Sequence, residues 1–469
     1  MTYPRDMAGY GRTPPQPNWP NKARIAVQFV INYEEGGENN ILHGDAASEA
    51  FLSEIVGAAA WPGMRHMNME SIYEYGSRAG YWRLWRLFTQ RKIPVTVYAV
   101  ASALQRNPEI ITSMHEAGWE IATHGLKWID YRDHTKAAEK ADIDEAIRLH
   151  AALCGARPLG MYQGRSSLNT LDLTAEEGGF LYGSDAYADD LPYWMPNAAK
   201  PLLIVPYTLD ANDMRFATPQ GFNTGEQFYT YLKDSFDMLY AEGHTAPKMM
   251  SVGLHCRLVG RPGRALALAR FLDYVQRKSD VWVATRLDIA RHWVKNHPPD
   301  GGFVPSKLGP AVFREVYGDI FEHSAYLADA VHSAGLTTDE DTARGLHSAF
   351  LKALHATSRE QKLLLIKAHP DLAGKLALAQ KITVDSAKEQ GSAGLDRLSS
   401  TELDEFSRLN SAYRSKFDFP FIFAVKGKSK EDILAAFTQR IDNDQDAEFA
   451  EAIRQIERIA LLRLQDRLP

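Results

Sequence analysis

Residues 24–38 read RIAVQFVINYEEGGE, a β-branched and aromatic run that stops on two adjacent carboxylates and two glycines. Outward from it the same kind of run recurs, each time followed by a longer helical pattern. Strands are predicted at 25–32, 95–100, 120–124, 160–163, 181–184, 202–207, 249–255 and 281–284, with helices between them such as 69–91, 107–117, 135–153 and 263–278. That alternation is the signature of repeated βα units around a parallel sheet. Seven or eight such units point to an α/β fold closed as a barrel rather than left as an open sheet.

A barrel of this kind carries its active site at the C-terminal ends of its strands. Chemistry is therefore sought in the polar residues just past each run. These are Glu34 and Glu35, His124, Gln163 with Arg165, Asp185, Asp210 with Asn212 and Asp213, and His255 with Arg257.

The chain has 469 residues, too many for one core, since single cores stop growing near about 250–300 residues. Around residues 297–310 the sequence turns to HPPDGGFVPSKLGP, and strand-like runs almost disappear beyond it. The expected boundary lies there, giving domains 1–300 and 301–469. In the second, residues 346–354, 361–367, 401–416 and 446–467 space their apolar residues helically, so an all-α bundle is expected. Residues 388–400 interrupt it, and 417–425 reads as an extended passage between helices.

Net charge is −6 without long like-charged blocks, which supplies no basic surface for nucleic acid or an anionic membrane. Apolar stretches such as 93–104 fall well short of the roughly 20 residues that span a bilayer. The N-terminal 20 residues, rich in Pro and Gly, read as an extended arm and not as a signal peptide. Cys154 and Cys256 form no Cys-x-x-Cys pattern, which fits a reducing compartment, and the cytoplasm is expected.

Glu34 and Glu35 place two carboxylates at the barrel mouth. Burial or like-charge crowding raises a carboxylate pKa towards neutrality, which suits a general base; either residue qualifies, and a solvated loop acid is the plain alternative. His124 and Trp128 are four apart, so on a helical turn they face the same way. A metal site there would want a second imidazole, and Trp has no lone pair to give. Cys256 beside His255 reads as a small buried hydrophobe rather than a nucleophile.

Together these motifs resemble the polysaccharide deacetylase family over residues 20–300. Glu34-Glu35 stands for its strand-end Asp-Asp pair, His124 with Trp128 for its His-x-x-x-His, Arg165 for its arginine loop, and Leu254-His255 for its late Leu-His. The family's Asp-His-His metal triad becomes Glu35, His124 and Trp128, one ligand short. With NYEEGGE (32–38), THGLKW (123–128) and PYTLDANDMRF (206–216), the first domain resembles the metal-independent allantoinase branch. The resemblance implies a small substrate, (S)-allantoin opened to allantoate, without metal or cofactor, in an enzyme that is usually a tetramer. Opening a cyclic amide needs water attack, oxyanion stabilisation and protonation of the leaving nitrogen. The candidates divide as Glu34 or Glu35 for the base and His255 for the acid or oxyanion partner, with His124, Trp128, Arg165 and Asn212 shaping the pocket.

In the second domain His369 closes a helical run that Pro370 stops, because proline cannot continue the hydrogen-bond ladder. Glu389 follows 20 positions on, and Arg463 sits on the last helix among Ile459, Leu461, Leu462 and Leu464. Singly, they read as a helix-end charge, a solvated acid and a snorkelling arginine. The stretches FREVYGDIFEHS (313–324), AHPDLAGK (368–375), SAKEQGSAGL (386–395), FDFPFIFAVKG (417–427) and IERIALLRLQDRL (456–468) are together similar to the 2-oxo-4-hydroxy-4-carboxy-5-ureidoimidazoline (OHCU) decarboxylases. That likeness implies loss of carbon dioxide with no cofactor, the ring C=N taking the electrons. It implies His369 for proton handling, Glu389 for orienting substrate and Arg463 for a bidentate grip on a carboxylate or ureido oxygen. Pro370, Ser386, Gln390 and the passage Phe421, Ile422, Phe423, Ala424 and Val425 would hold the ring. The rival is a metal-dependent carbohydrate deacetylase with a non-catalytic helical oligomerisation module, against which Trp128 argues.

Overall fold

β1 (Ile25–Tyr33) is buried at all nine positions, the pattern of a parallel strand covered on both faces. It is the spine of the first unit. β8 (Lys248–His255) pairs along it from Ile25↔Lys248 to Asn32↔His255. β2 (Thr96–Ala99) pairs with its last four residues and β9 (Val281–Val283) with its first three. From β2 the parallel sheet continues through β3 (Glu120–Thr123), β4 (Gly160–Met161), β5 (Tyr182–Gly183) and β7 (Leu203–Ile204). β6 (Tyr193–Trp194) lies antiparallel at the edge. All eight predicted strands are present; β6 lies between Pro192 and Pro196 with no apolar run to mark it.

The computed structural model describes residues 5–55, 57–219, 221–372, 386, 389, 395 and 398–469. They divide into two units, Met1–Gly302 and Phe303–Pro469. In the first unit the sheet curls until the loop after β7 meets β8 through a parallel bridge between Asn212 and Gly253. A Cβ at 253 would lie 2.2 Å from Asn212 Nδ2, so this closure needs glycine. Arg286, fully buried, ties the interior by donating to Gln28 and Ser251 at 2.8 Å, Ser184 at 3.0 Å and the Pro206 carbonyl at 2.9 Å.

Helices cover the sheet: α1 (Met67–Tyr75), α2 (Tyr81–Arg91), α3 (Ala101–Arg106), α4 (Pro108–Glu116), α5 (Lys136–Cys154), α6 (Thr170–Glu177), α7 (Gly225–Glu242), α8 (Pro262–Gln276) and α9 (Arg286–Asn296). The single helix predicted over 69–91 is α1 and α2 joined by a π turn, Gly76–Gly80. Both glycines bear on closeness: added Cβ atoms would lie 2.3 Å from Glu35 Oε1 and 2.0 Å from the Cys256 carbonyl. The helix thus rests directly on the strand ends. The N-terminal arm docks on this unit, Tyr10 Oη donating to Pro192 O at 2.5 Å and Trp19 Nε1 to Lys248 O at 3.1 Å.

Among its described residues the second unit is all helical: α10 (Pro310–Tyr317), α11 (Tyr326–Ser333), α12 (Ala343–His355), α13 (Arg359–Ala368), α14 (Ser400–Phe417), α15 (Lys430–Arg440) and α16 (Gln445–Gln465). Capping boxes start three of them, at Ser358/Gln361, Ser399/Glu402 and Ser429/Asp432. Each satisfies two orphan N–H groups. The passage after α14 is neither helix nor strand as far as Val425, with Phe421 stacked on Phe437 at 3.7 Å and covered by the Arg440 guanidinium at 4.5 Å.

Candidate active sites

Strand pleating decides what the first site contains. Alternate residues face the same side, so Asn32 and Glu34 both line a cavity of about 550 Å³ at the strand ends. His124, Trp128, Arg165, Asn212 and His255 also line it, with Tyr162 and Tyr207. Glu35 points the other way, beneath Gly76, and accepts from the backbone N–H groups of Glu34 at 3.2 Å and Arg257 at 3.1 Å. The adjacent carboxylates that the sequence could not separate are thus one cavity group and one buried brace.

Glu34 Oε1 lies 3.4 Å from His124 Nε2 and 3.3 Å from His255 Nε2; Oε2 lies 2.7 Å from Arg257 Nη1. Burial pulls the Glu34 carboxyl upward, but the charges of Arg257 and His255 and the two histidine hydrogen bonds outweigh it and hold it well below the usual carboxylate range, so the upward shift expected of a base falls on Glu35 and not on the cavity carboxylate. Burial, reinforced by Glu34, pushes Glu35 up to about 7. His255 Nδ1 donates to Asp213 Oδ1 at 2.6 Å. Asp213 Oδ2 accepts from the N–H groups of His255 at 2.8 Å and Val259 at 2.9 Å. Burial would lower the His255 pKa, yet Glu34 and Asp213 raise it to about 9. At neutral pH the array is a carboxylate beside an imidazolium.

Asp213 and Arg257 were visible in the sequence only as strand-end polar residues; the signal for Arg257 is its place two residues past His255. Trp128 is not on a helical turn with His124. The 124–131 stretch is a loop, and Trp128 pairs with Glu38 in a parallel bridge, its N–H donating to Gly37 O at 2.8 Å. Arg165 sits 3.4 Å from Glu49 Oε2, its guanidinium 5.2 Å over the Trp128 ring. Asn212 spends its side chain locally, donating to Thr208 O at 3.1 Å and accepting from Met214 N at 2.9 Å. Cys256 is fully buried, which drives its thiol pKa up.

The second site gathers at the end of α13. His369 is its C-cap and is buried, so it is no surface helix-end charge. Nδ1 hydrogen-bonds the Leu365 carbonyl at 2.9 Å. A carbonyl only accepts, so Nδ1 carries the proton and Nε2 keeps its lone pair. Burial, aided by Arg463, depresses the pKa to about 4. Arg463 is buried too, and its fork grips Glu389, Nε to Oε1 at 2.7 Å and Nη2 to Oε2 at 3.1 Å. Nη2 also reaches Glu322 at 3.1 Å, and Nη1 the Asp319 carbonyl at 3.2 Å. The open fork expected for substrate is therefore occupied by Glu389 in this arrangement. Ser386 donates to Glu322, a residue not singled out from the sequence although it lies in the FREVYGDIFEHS stretch. Pro370 is half-buried beside His369.

The passage from Phe421 to Val425 is pinned separately. Arg440 donates to Ile422 O at 2.7 Å and Ala424 N–H to Gln455 at 3.0 Å, while Phe423 is half-buried and Val425 buried. Gln390 lies outside the described residues.

A polysaccharide deacetylase family model matches residues 68–175 and an OHCU decarboxylase model residues 306–465. A putative polysaccharide deacetylase of Schizosaccharomyces pombe is 43% identical over 314 residues, 63% of this chain and 98% of that protein. The OHCU decarboxylase of Haloferax volcanii is 38% identical over 162 residues, 34% of this chain and 92% of its own. The chain belongs to both families, a polysaccharide deacetylase-like unit joined to an OHCU decarboxylase unit. Among solved structures, the PuuE allantoinase is 59% identical and covers 63% of this chain and 99% of its own, with a TM-score of 0.63. Fusion of the two families makes the chain an enzyme with a hydrolase-class and a lyase-class unit.

The deacetylase-like unit does not fit the metal that the family implies. Where its triad needs a second imidazole, Trp128 offers a ring face, and a guanidinium already lies against the Glu34 and Glu35 carboxylates.

Proposed function

We propose that the chain is a bifunctional enzyme of urate degradation: residues 301–469 convert OHCU to (S)-allantoin, and residues 1–300 hydrolyse (S)-allantoin to allantoate. The observation that carries the reading is Glu34 within 3.4 Å of His124 and 3.3 Å of His255, itself held by Asp213, in a cavity of about 550 Å³ of a unit 59% identical to an allantoinase.

In the hydrolase, Glu34 takes a proton as water attacks the hydantoin carbonyl carbon. The oxyanion forms beside the His255 imidazolium, which then protonates the leaving nitrogen as the C–N bond breaks. Asp213 stabilises that imidazolium. His124, Trp128, Arg165 and Asn212 shape the pocket, and Glu35 braces the strand end from behind.

In the decarboxylase, the bond from ring carbon to carboxylate breaks and its electron pair enters the adjacent ring C=N. A solvent proton neutralises the ring nitrogen, and neutral His369 accepts the hydroxyl proton at Nε2 and returns a proton to one face of the neighbouring carbon, which sets the S configuration. Arg463 holds Glu389, which orients substrate, with Pro370, Ser386, Gln390 and the passage from Phe421 through Ile422, Phe423, Ala424 and Val425 around the ring. The reading needs no cofactor and places the protein in the cytoplasm as a homotetramer, which light scattering would test. No helix among the described residues is long and apolar enough to cross a membrane.

Freshly generated OHCU supplied to the full chain, with products followed by chiral chromatography, should give (S)-allantoin and then allantoate. Release of acetate from a chito-oligosaccharide, with allantoin untouched, would overturn the hydrolase half.

A further inference from the structure

Arg257 is a cation that lies against both members of the carboxylate pair, and its surroundings are unusual for a structural ion pair. It is fully buried. Nη1 lies 2.7 Å from Glu34 and 3.8 Å from Glu35, while its guanidinium sits 4.4 Å over the Tyr73 ring and 5.1 Å over Trp128. Nη2 has no hydrogen-bond partner among the described residues. Buried charges normally satisfy their donors, and an unused one costs stability. A guanidinium held by aromatic faces with donors to spare is placed for its charge.

We propose that Arg257 is a positioning residue that serves as a permanent cation for the carboxylate pair, supplying from the chain itself the positive charge that a divalent ion supplies in metal-dependent deacetylases and leaving no place for that ion. Trp128 and Arg257 are then one device. The residue that breaks the triad also covers the guanidinium that makes the triad unnecessary. The inference rests on the hydrolase reading for its consequence in turnover, but not for the cation's existence.

The test uses the full chain with Arg257→Ala, titrated with guanidinium chloride in a calorimeter and assayed on (S)-allantoin. The variant should bind one guanidinium ion where the wild type binds none. Its kcat should fall by about 100-fold, the scale of one lost electrostatic contact in an active site, with KM little changed, and added guanidinium should recover much of that loss. A folded variant that neither binds guanidinium nor is rescued by it would overturn the proposal, as would an unchanged kcat. If Arg257→Ala does not fold, Arg257→Lys decides: activity within about tenfold of wild type supports a charge role, and a larger loss in a folded protein refutes it. Calorimetry needs no turnover, so wild-type protein inert on allantoin would sink the hydrolase reading while leaving the cation test standing.

Discussion

Replacing Asp213 by Asn removes one charge while keeping shape. Asp213 Oδ2 accepts from two backbone N–H groups, so the Asn oxygen must face them and its NH2 must face His255 Nδ1. Two donors then oppose each other unless the imidazole gives up its Nδ1 proton. A hydrogen bond to a charged group contributes about 1.5–3 kcal/mol, and about 1.4 kcal/mol equals one pKa unit, so the His255 pKa should drop from about 9 by about one to two units. The imidazolium is the working form, and the rate therefore falls as pH rises through this pKa. The basic limb of kcat/KM for (S)-allantoin should move down to about pH 7–8. Stability follows the same sign. A raised histidine pKa contributes stability that is complete below the ordinary 6.5 and lost as pH rises through about 9, so the variant should melt lower than wild type at pH 7 and converge with it in alkali. Initial rates across pH with melting curves at each point measure both. A basic limb left near 9 at full rate would refute the Asp213–His255 coupling.

Because neutral His369 is the active form and its pKa lies near 4, OHCU decarboxylation should be flat from neutral pH into mildly acid buffer, and an acid limb at 6 or above would contradict this. The depressed pKa also predicts that stability is complete above 6.5 and declines as pH falls towards 4, read by urea titration of the full chain. Exhaustive dialysis against chelator should leave allantoin hydrolysis within about twofold; loss restored by zinc would reverse the metal-free reading. Gly76→Ala puts a Cβ 2.3 Å from Glu35 Oε1, and overpacking of this kind costs about 1–3 kcal/mol. Hydrolysis should suffer while decarboxylation persists, and wild-type melting with both activities intact would refute the close contact.

The strands were readable because each apolar run ends sharply in polar residues, as β1 does at Glu34. β6 was not, because Pro192 and Pro196 flank it and mark a loop rather than a strand. Pleating could have separated Glu34 from Glu35, since Asn32 and Glu34 share a face, but which face bordered the cavity depended on α1 and α2 lying over the other. Asp213 and Arg257 stood in view as polar residues without roles, because their meaning comes from partners 42 and 222 positions distant. In the helical unit, periodicity located helices but not the occupied fork of Arg463, which depends on Glu389 and Glu322 converging from separate segments.

Arg286 has a consequence for biosynthesis. The strands it fastens are far from it in sequence, Gln28 by 258 positions and Ser184 by 102, and contacts so distant form late. Until residue 286 has left the ribosome, the nascent barrel lacks its internal clasp. Because Arg286 precedes the second unit, the clasp can be set while the decarboxylase portion is still being translated, so the first unit can close before the second is complete.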